Sequence, residues 1–264
     1  MEKRTDKNSY TIIFAIGMVL VVGSLLAYLA SSLKPQISEN QRLEKQQNIL
    51  YAMGINDNDE TSAVFISTDK APEAFTNNIN DQIVITIDAD GKVIKNQTRD
   101  EYFNETKQEP YLIDIKKQKS NAKSGESRKL PLFIGKNAKG KMVYVAPIYG
   151  KGLWDAIWGY IAMDENMVVQ GAYFDHKGET PGLGANIKQR YFMDDFYGEH
   201  LLTENGAFKG ITVAKGNADP KNNDKMDNEV DAIAGATITG DGVSAMIKSD
   251  LKLYKPYFDN LKGN

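Results

Sequence analysis

The chain has 264 residues, 25% of them charged, and a formal net charge of -3, an ordinary balance for a soluble domain that gives no case for nucleic-acid binding. The absence of cysteine excludes disulfides, thiolate metal sites and a cysteine nucleophile, and with only two histidines a histidine-rich metal site is not expected. Redox chemistry on this chain would therefore need an organic cofactor.

Near the N-terminus, residues 10–33 form an apolar run without a charged residue. A helix of this length spans about 36 Å, which is enough to cross a hydrocarbon core of about 30 Å. The run is longer than the core of a signal peptide, and no convincing Ala-x-Ala cleavage site follows it. A transmembrane anchor is therefore favoured over a cleaved signal peptide. Lys34 and Pro35 are expected to end the span.

Charge on the two sides of this run favours one orientation in the membrane. The short N-terminal side carries the basic residues Lys3, Arg4 and Lys7, which favours a cytoplasmic N-terminus with the soluble domain on the extracytoplasmic side. The sequence thus predicts four parts, which are a cytoplasmic tail (1–9), a transmembrane helix (10–33), a juxtamembrane helix and linker (34–75) and an extracytoplasmic domain (76–264).

The first elements after the anchor are a helix and a hairpin. Residues 37–53 contain neither glycine nor proline and predict a helix that ends near Gly54. Residues 81–95 contain two β-rich runs around Asp90-Gly91, a dipeptide typical of two-residue hairpin turns. The aspartate spacing also hints at half of a calcium loop, but the distal glutamate of an EF-hand is missing, so the hairpin is favoured.

The second half of the chain alternates between β-rich and helical patterns. The polar, lysine-rich residues 116–129 predict a solvated loop or a flexible insertion. Strands are predicted at residues 142–148, 158–163, 167–174 and 211–214, and helices at residues 187–197 and 243–261, the last kinked or shortened by Pro256. The predicted fold class is α+β, a single N-terminal transmembrane helix followed by a mostly antiparallel β domain with packed helices.

One segment combines a carboxylate, small residues and a hydroxyl. Residues 231–237 read DAIAGAT. Gly235 and Ala236 would let a bulky phosphate approach the backbone, and the Thr237 hydroxyl can form a phosphoester. The segment leads into the terminal helix, whose N-terminus favours a phosphate. Composition and spacing alone favour a plainer interpretation, a helix-start loop in which Thr239 or Asp241 is the N-cap.

The same segment resembles the flavinylation motif Asp-x-x-(Ser/Thr)-Gly-Ala-Thr of FMN-binding domains. The resemblance implies that a separate flavin transferase attaches FMN through its phosphate to Thr237, with Asp231 as part of what the transferase recognises. The sequence departs from the motif at Ala234, where the family has serine or threonine. Thr239 is the alternative acceptor.

Two further segments are similar to the same domains. Residues 179–184 read ETPGLG and resemble the loop on the flavin side, where glycines and a proline make a tight turn. The Gly152-Leu153-Trp154 segment is another match, although a tryptophan beside a strand is more often a core residue than a flavin neighbour. The resemblance implies that FMN contacts Glu179, Thr180, Gly182, Leu183 and Trp154, in addition to Asp231, Gly235, Ala236, Thr237 and Thr239.

Across nearly its whole length the chain resembles the NqrC family, one of the subunits of bacterial sodium-translocating NADH:quinone oxidoreductases. This implies an electron-transfer subunit in the bacterial inner membrane, with covalent FMN as its cofactor and other membrane subunits as its partners. It implies no metal, catalytic, NADH, quinone or sodium site on this chain. The alternatives are the equivalent subunit of an Rnf-type ferredoxin:NAD oxidoreductase, a stand-alone anchored flavoprotein and an anchored binding domain without a cofactor.

Overall fold

The computed structural model describes residues 8–217, 219 and 222–262. The basic residues on which the orientation rests, Lys3, Arg4 and Lys7, lie outside this part of the chain. The chain divides into two compact units, Met1–Leu43 and Glu44–Asn264.

Helix α1 (Asn8–Ala52) contains the apolar run. Its most apolar window has a mean hydropathy of 2.6 and is not buried at all, which is compatible with a single-pass membrane anchor. The helix does not end at Lys34-Pro35, where the span was expected to end, but continues through Pro35. Its end agrees with the prediction, because Gly54 adopts a φ of +74° and donates its N–H to the carbonyl of Tyr51.

The second unit is built on a six-stranded, fully antiparallel sheet with the strand order β2-β1-β3-β4-β5-β6. The predicted hairpin is present between β1 and β2, with Gly91 at a φ of +82° in its turn. The strands are β1 (Ile79–Ile87), β2 (Val93–Thr98), β3 (Arg128–Lys136), β4 (Met142–Lys151), β5 (Ala156–Met163) and β6 (Val169–His176), and a parallel pair, β7 (Thr212–Val213) with β8 (Glu229–Val230), stands apart from them.

The end of α1 and several short helices pack against this sheet. The last turns of α1 contribute Ile49 and Leu50, both fully buried, to the main core. Gly171 of β6 is packed so closely against this helix end that a Cβ there would lie 2.2 Å from the carbonyl oxygen of Ala52. The other helices of the first half are α2 (Ala71–Asn78), α3 (Arg99–Thr106), a 3-10 turn (Pro110–Leu112) and α4 (Ile115–Lys123).

The prediction of a loop at residues 116–129 is wrong, because α4 occupies the first part of this stretch and β3 begins in the last. Asp114 caps the helix by accepting the N–H of Lys117. Ile115 packs against a small cluster that contains Val84 and Tyr102, which fixes the helix to the sheet. A local cap and tertiary contacts, among them that of Ile115 and the ion pair of Lys119 with Asp250, thus order a segment whose composition is that of a loop.

The C-terminal half ends in an interrupted helix. The predicted helix at residues 187–197 is a 3-10 turn followed by one helical turn, and the predicted helix at residues 243–261 begins six residues earlier and is broken. Pro256 lies in the first turn of α7, where its missing N–H removes no bond. The elements are the 3-10 turn (Gly184–Lys188), α5 (Arg190–Asp195), α6 (Thr237–Met246), a π-helical turn (Ile247–Leu251), a 3-10 turn (Lys252–Tyr254) and α7 (Lys255–Lys262).

Candidate functional site

Three segments that are distant in sequence meet at the N-terminus of α6. They are the turn at residues 152–155 between β4 and β5, the loop at residues 179–184 after β6, and residues 235–239. Together they enclose a cavity of about 230 Å³. Its lining residues are Leu153, Glu179, Thr180, Leu183, Gly184, Gly235, Ala236, Thr237, Ile238 and Thr239.

Thr237 is the first residue of α6, and its side chain is exposed. Among the residues that the structure describes, none forms a hydrogen bond with its hydroxyl. The preceding residue, Ala236, offers no side-chain cap to the helix, so the first N–H groups of the helix remain available to another acceptor. The alternative in which Thr239 or Asp241 is the N-cap is therefore wrong, because both residues lie inside the helix.

Thr239 differs sharply from Thr237, although the two lie on the same helical turn. Its side chain is 1% exposed. Its hydroxyl donates a hydrogen bond of 2.6 Å to Oε2 of Glu179. The two threonines are thus distinguished by their surroundings, one free at the surface and the other buried and bonded.

Glu179 is the most densely bonded side chain of the site. Its Oε1 accepts the N–H groups of Trp154 at 2.9 Å and Asp155 at 3.4 Å, and its Oε2 accepts that of Leu153 at 3.3 Å in addition to the Thr239 hydroxyl. Burial raises the pKa of this carboxyl group, but the hydrogen bonds from Thr239 and from the backbone outweigh it and hold the pKa below its usual value. The carboxylate is therefore ionised at neutral pH.

Glycines allow the loops to approach one another. Gly235 has a φ of +71°, and a Cβ at this position would lie 2.7 Å from Cδ2 of Leu183. Gly182, also with a positive φ of +79°, makes the turn that brings Leu183 to the cavity. A side chain would strain the backbone at either position, and at Gly235 it would also narrow the space beside Thr237.

Trp154 is not a core residue, since 66% of its surface is exposed. Its indole N–H donates to the hydroxyl of Thr180 at 3.2 Å. Three large apolar side chains that line the cavity, Leu153, Leu183 and Ile238, are also exposed, and with Trp154, which is bonded to the lining residue Thr180, they form an apolar rim. Exposed apolar groups clustered in this way are typical of a surface that binds a ligand or a partner.

The predicted site residues do not all line this cavity. Asp231 directly follows β8 and lies outside the lining, as does Gly182. Trp154 instead lines a neighbouring cavity of about 420 Å³, together with Lys119 and Lys151. Sequence reasoning missed Leu153, Gly184 and Ile238 as lining residues, although each directly follows or precedes a predicted one in the chain.

The residues of the site fit an FMN phosphate and part of the flavin. A free hydroxyl stands at a helix N-terminus, where unsatisfied N–H groups and the helix dipole favour a phosphate, and the apolar rim offers contact to an aromatic ring. The cavity is smaller than the about 300–1,000 Å³ usual for small-molecule pockets. A flavin held here would therefore stay partly exposed.

Comparisons with known proteins identify similar domains and chains. Residues 152–252 match the FMN-binding domain family. The chain is 29% identical to the NqrC protein of the Na(+)-translocating NADH-quinone reductase of Neisseria meningitidis serogroup A, covering 100% of this chain and 98% of that protein. It is 28% identical to the protein of the same name from Pasteurella multocida, with the same coverage of both chains.

Solved structures of such proteins share the fold. That of the NqrC protein of Parabacteroides distasonis superposes with a TM-score of 0.65 at 27% identity, covering 86% of this chain and 96% of that one. That of Shewanella oneidensis NqrC, at 22% identity, has a TM-score of 0.58 and covers 85% and 99%, which supports the fold alone. The predicted fold class and the resemblance to this family are confirmed.

Proposed function

We propose that this chain, which is similar over its whole given length to the NqrC proteins of sodium-translocating NADH-quinone reductases, carries FMN linked through its phosphate to Thr237 and transfers electrons within such an enzyme. The observation that carries the proposal is the exposed, unbonded hydroxyl of Thr237 at the start of α6, beside a cavity with an apolar rim. The match of residues 152–252 to FMN-binding domains supports the identity of the cofactor.

The residues around Thr237 explain how a bound phosphate would be held. Gly235 and Ala236 keep bulky side chains away from the hydroxyl, and the uncapped first N–H groups of α6 would hold a phosphate on Thr237. Bound FMN would accept and donate electrons in one- or two-electron steps. The apolar rim would offer contact to the ring, and the small cavity would leave part of the flavin accessible to an electron-transfer partner.

The anchor and the partners complete the proposal. The apolar helix spans the bacterial inner membrane once and contacts the lipid bilayer, with residues 1–9 in the cytoplasm and residues 76–264 outside it. The partners are the other membrane subunits of the complex and, during maturation, a flavin transferase that recognises Asp231. The names of the relatives favour a sodium-translocating NADH-quinone reductase over an Rnf-type ferredoxin:NAD oxidoreductase.

The test is the intact mass of the full chain in detergent after co-expression with its flavin transferase. Wild type is expected to gain the mass of one FMN less water, and Thr237→Ala to gain nothing. Thr239→Val is the matched control, because it alters the other threonine of the same turn, and it is expected to keep the flavin. An unmodified wild type would overturn the proposal. A loaded Thr237→Ala variant would move the acceptor to another residue.

A further inference from the structure

The acceptor capacity of Glu179 decides whether this carboxylate touches the flavin at all. A carboxylate has about four lone-pair sites. The four donors that contact Glu179 are the N–H groups of Leu153, Trp154 and Asp155 and the hydroxyl of Thr239. No acceptor site is left for an N–H group of a flavin, although Glu179 belongs to the cavity lining.

These donors belong to two of the three segments of the site, and Glu179 belongs to the third. The N–H groups come from the turn after β4, and the hydroxyl comes from the first turn of α6. The carboxylate itself is positioned by its own loop, since the N–H of Glu179 donates to Nδ1 of His176 at 3.1 Å. One side chain thus joins all the walls of the cavity.

Two glycines make this junction sterically possible. A Cβ at Gly152 would lie 2.6 Å from Oε1 of Glu179. A Cβ at Gly184 would lie 2.5 Å from both Oε2 of Glu179 and Oγ1 of Thr239. Glycine at each position gives the carboxylate room between the segments, which explains the glycine of the Gly-Leu-Trp turn and the second glycine of the ETPGLG loop.

We propose that Glu179 is a positioning residue, which holds the Trp154 turn and the start of α6 in place without binding the cofactor. Its carboxylate fixes the apolar rim relative to Thr237, so it determines how firmly a flavin attached there is held. The effect on the flavin rests on the proposed function, whereas the positioning of the turn and the helix depends on the protein alone.

The test uses Glu179→Gln in the full chain carrying Thr237→Ala, so that no flavin is attached. Whichever way the new amide is oriented, its NH2 group faces at least one backbone N–H donor, so at least one of the bonds to residues 153–155 is lost. Amide hydrogen exchange at residues 153–155 is expected to become at least about tenfold faster than in the parent. Glu126→Gln, the same change at an exposed loop residue, is the control and is expected to change nothing there.

A second variant reaches the same junction from the other side. Thr239→Val removes the hydroxyl and keeps the shape of the side chain, so it should also loosen the loop of Glu179, whereas Thr239→Ser should restore the protection. In protein loaded with FMN, both loosening variants should lower the fluorescence anisotropy of the flavin while its mass stays attached.

Unchanged exchange at residues 153–155 in Glu179→Gln would overturn the positioning role. A shifted flavin absorption spectrum without faster exchange would also overturn it, because it would indicate direct contact between Glu179 and the ring. Failure of the wild type to take up FMN would contradict the proposed function but not the positioning role of Glu179, since the exchange experiment needs no flavin.

Discussion

Two buried carboxylates fix helix α6, one at its start and one just after its end, and they do so with different partners. At the start of α6, Glu179 accepts hydrogen bonds from neutral donors only. At the π-helical turn that follows α6, Asp250 is fully buried and faces two cations, with Oδ1 at 3.0 Å from both Arg128 and Lys119. Its Oδ2 accepts the N–H of Tyr149 on β4 at 2.8 Å.

The difference distinguishes the candidate site at the start of α6 from a structural joint, which Asp250 forms with Arg128 and Lys119. At the π-helical turn the buried carboxylate is paired with two cations and packed against the sheet. At the start of α6 the carboxylate organises the backbone with neutral groups, and the helix N-terminus beside it keeps free N–H groups for an anion. We expect the joint to determine stability and the site to determine cofactor binding.

The largest effect is expected from breaking the joint. Asp250→Ala leaves the buried guanidinium of Arg128 without its partner and should lower the free energy of unfolding by about 3–5 kcal/mol. Chemical denaturation of the full chain in detergent measures this loss. The control is Asp259→Ala, which removes an exposed i,i+4 pair with Lys255 and should cost at most about 0.5 kcal/mol. Equal losses in the two variants would show that Asp250 is no structural joint.

A third buried carboxylate has fewer donors than either of these. Glu199 is fully buried, its Oε1 accepts from Asn222 at 3.0 Å, and its Oε2 has no partner among the described residues. Burial raises the pKa of Glu199 to about 7, against the nearby charge of Lys225. The folded protein therefore binds this proton more tightly than the unfolded chain does.

Stability should consequently fall as the pH rises. Between about pH 4.5, where the unfolded glutamate ionises, and pH 7, the folded state retains the proton that the unfolded state releases, and the wild type should lose about 3 kcal/mol from this group. Glu199→Gln lacks the titration. The free energy of unfolding of this variant, minus that of the wild type, should therefore rise between pH 5 and pH 8. A constant difference over that range would show that Glu199 ionises normally.

The smallest effect is expected from crowding the site. In Gly184→Ala the new methyl group would meet Glu179 and Thr239, so we expect a loss of about 2 kcal/mol from overpacking and faster amide exchange at residues 153–155. Gly216→Ala is the matched control, because a Cβ there meets nothing within 4 Å. If thermal unfolding shows the same small change in both variants, the junction around Glu179 is looser than its geometry indicates.

Local sequence patterns predict much of the fold. The structure contains the predicted hairpin at Asp90-Gly91. Strands β4, β5 and β6 match, within a few residues, the β-rich runs at residues 142–148, 158–163 and 167–174. Helix α3 was missed although its signal was present, since Thr98 and Glu101 form a capping box. The sequence does not predict strand β3, because Pro131 and the flanking lysines conceal its pattern, and its pairing with β1 and β4 makes it a strand.

The site was predictable in kind but not in arrangement. Resemblance identified the segments around Glu179 and Thr237. It could not reveal that Glu179 is saturated by the turn before β5, because that contact joins residues about 25 positions apart through backbone N–H groups. For the same reason, sequence left Thr237 and Thr239 as alternative acceptors, whereas burial and one hydrogen bond distinguish them.

The end of α1 sets a limit on how the domain can be separated from its anchor. Residues 46 and 48–52 are buried, and Ile49 and Leu50 belong to the core of the second unit. A proteolytic cut that releases a folded soluble fragment must therefore fall before Gln46. A cut near Gly54 would instead remove core side chains and leave the face of β6 around Gly171 uncovered, so the released fragment should aggregate rather than remain in solution.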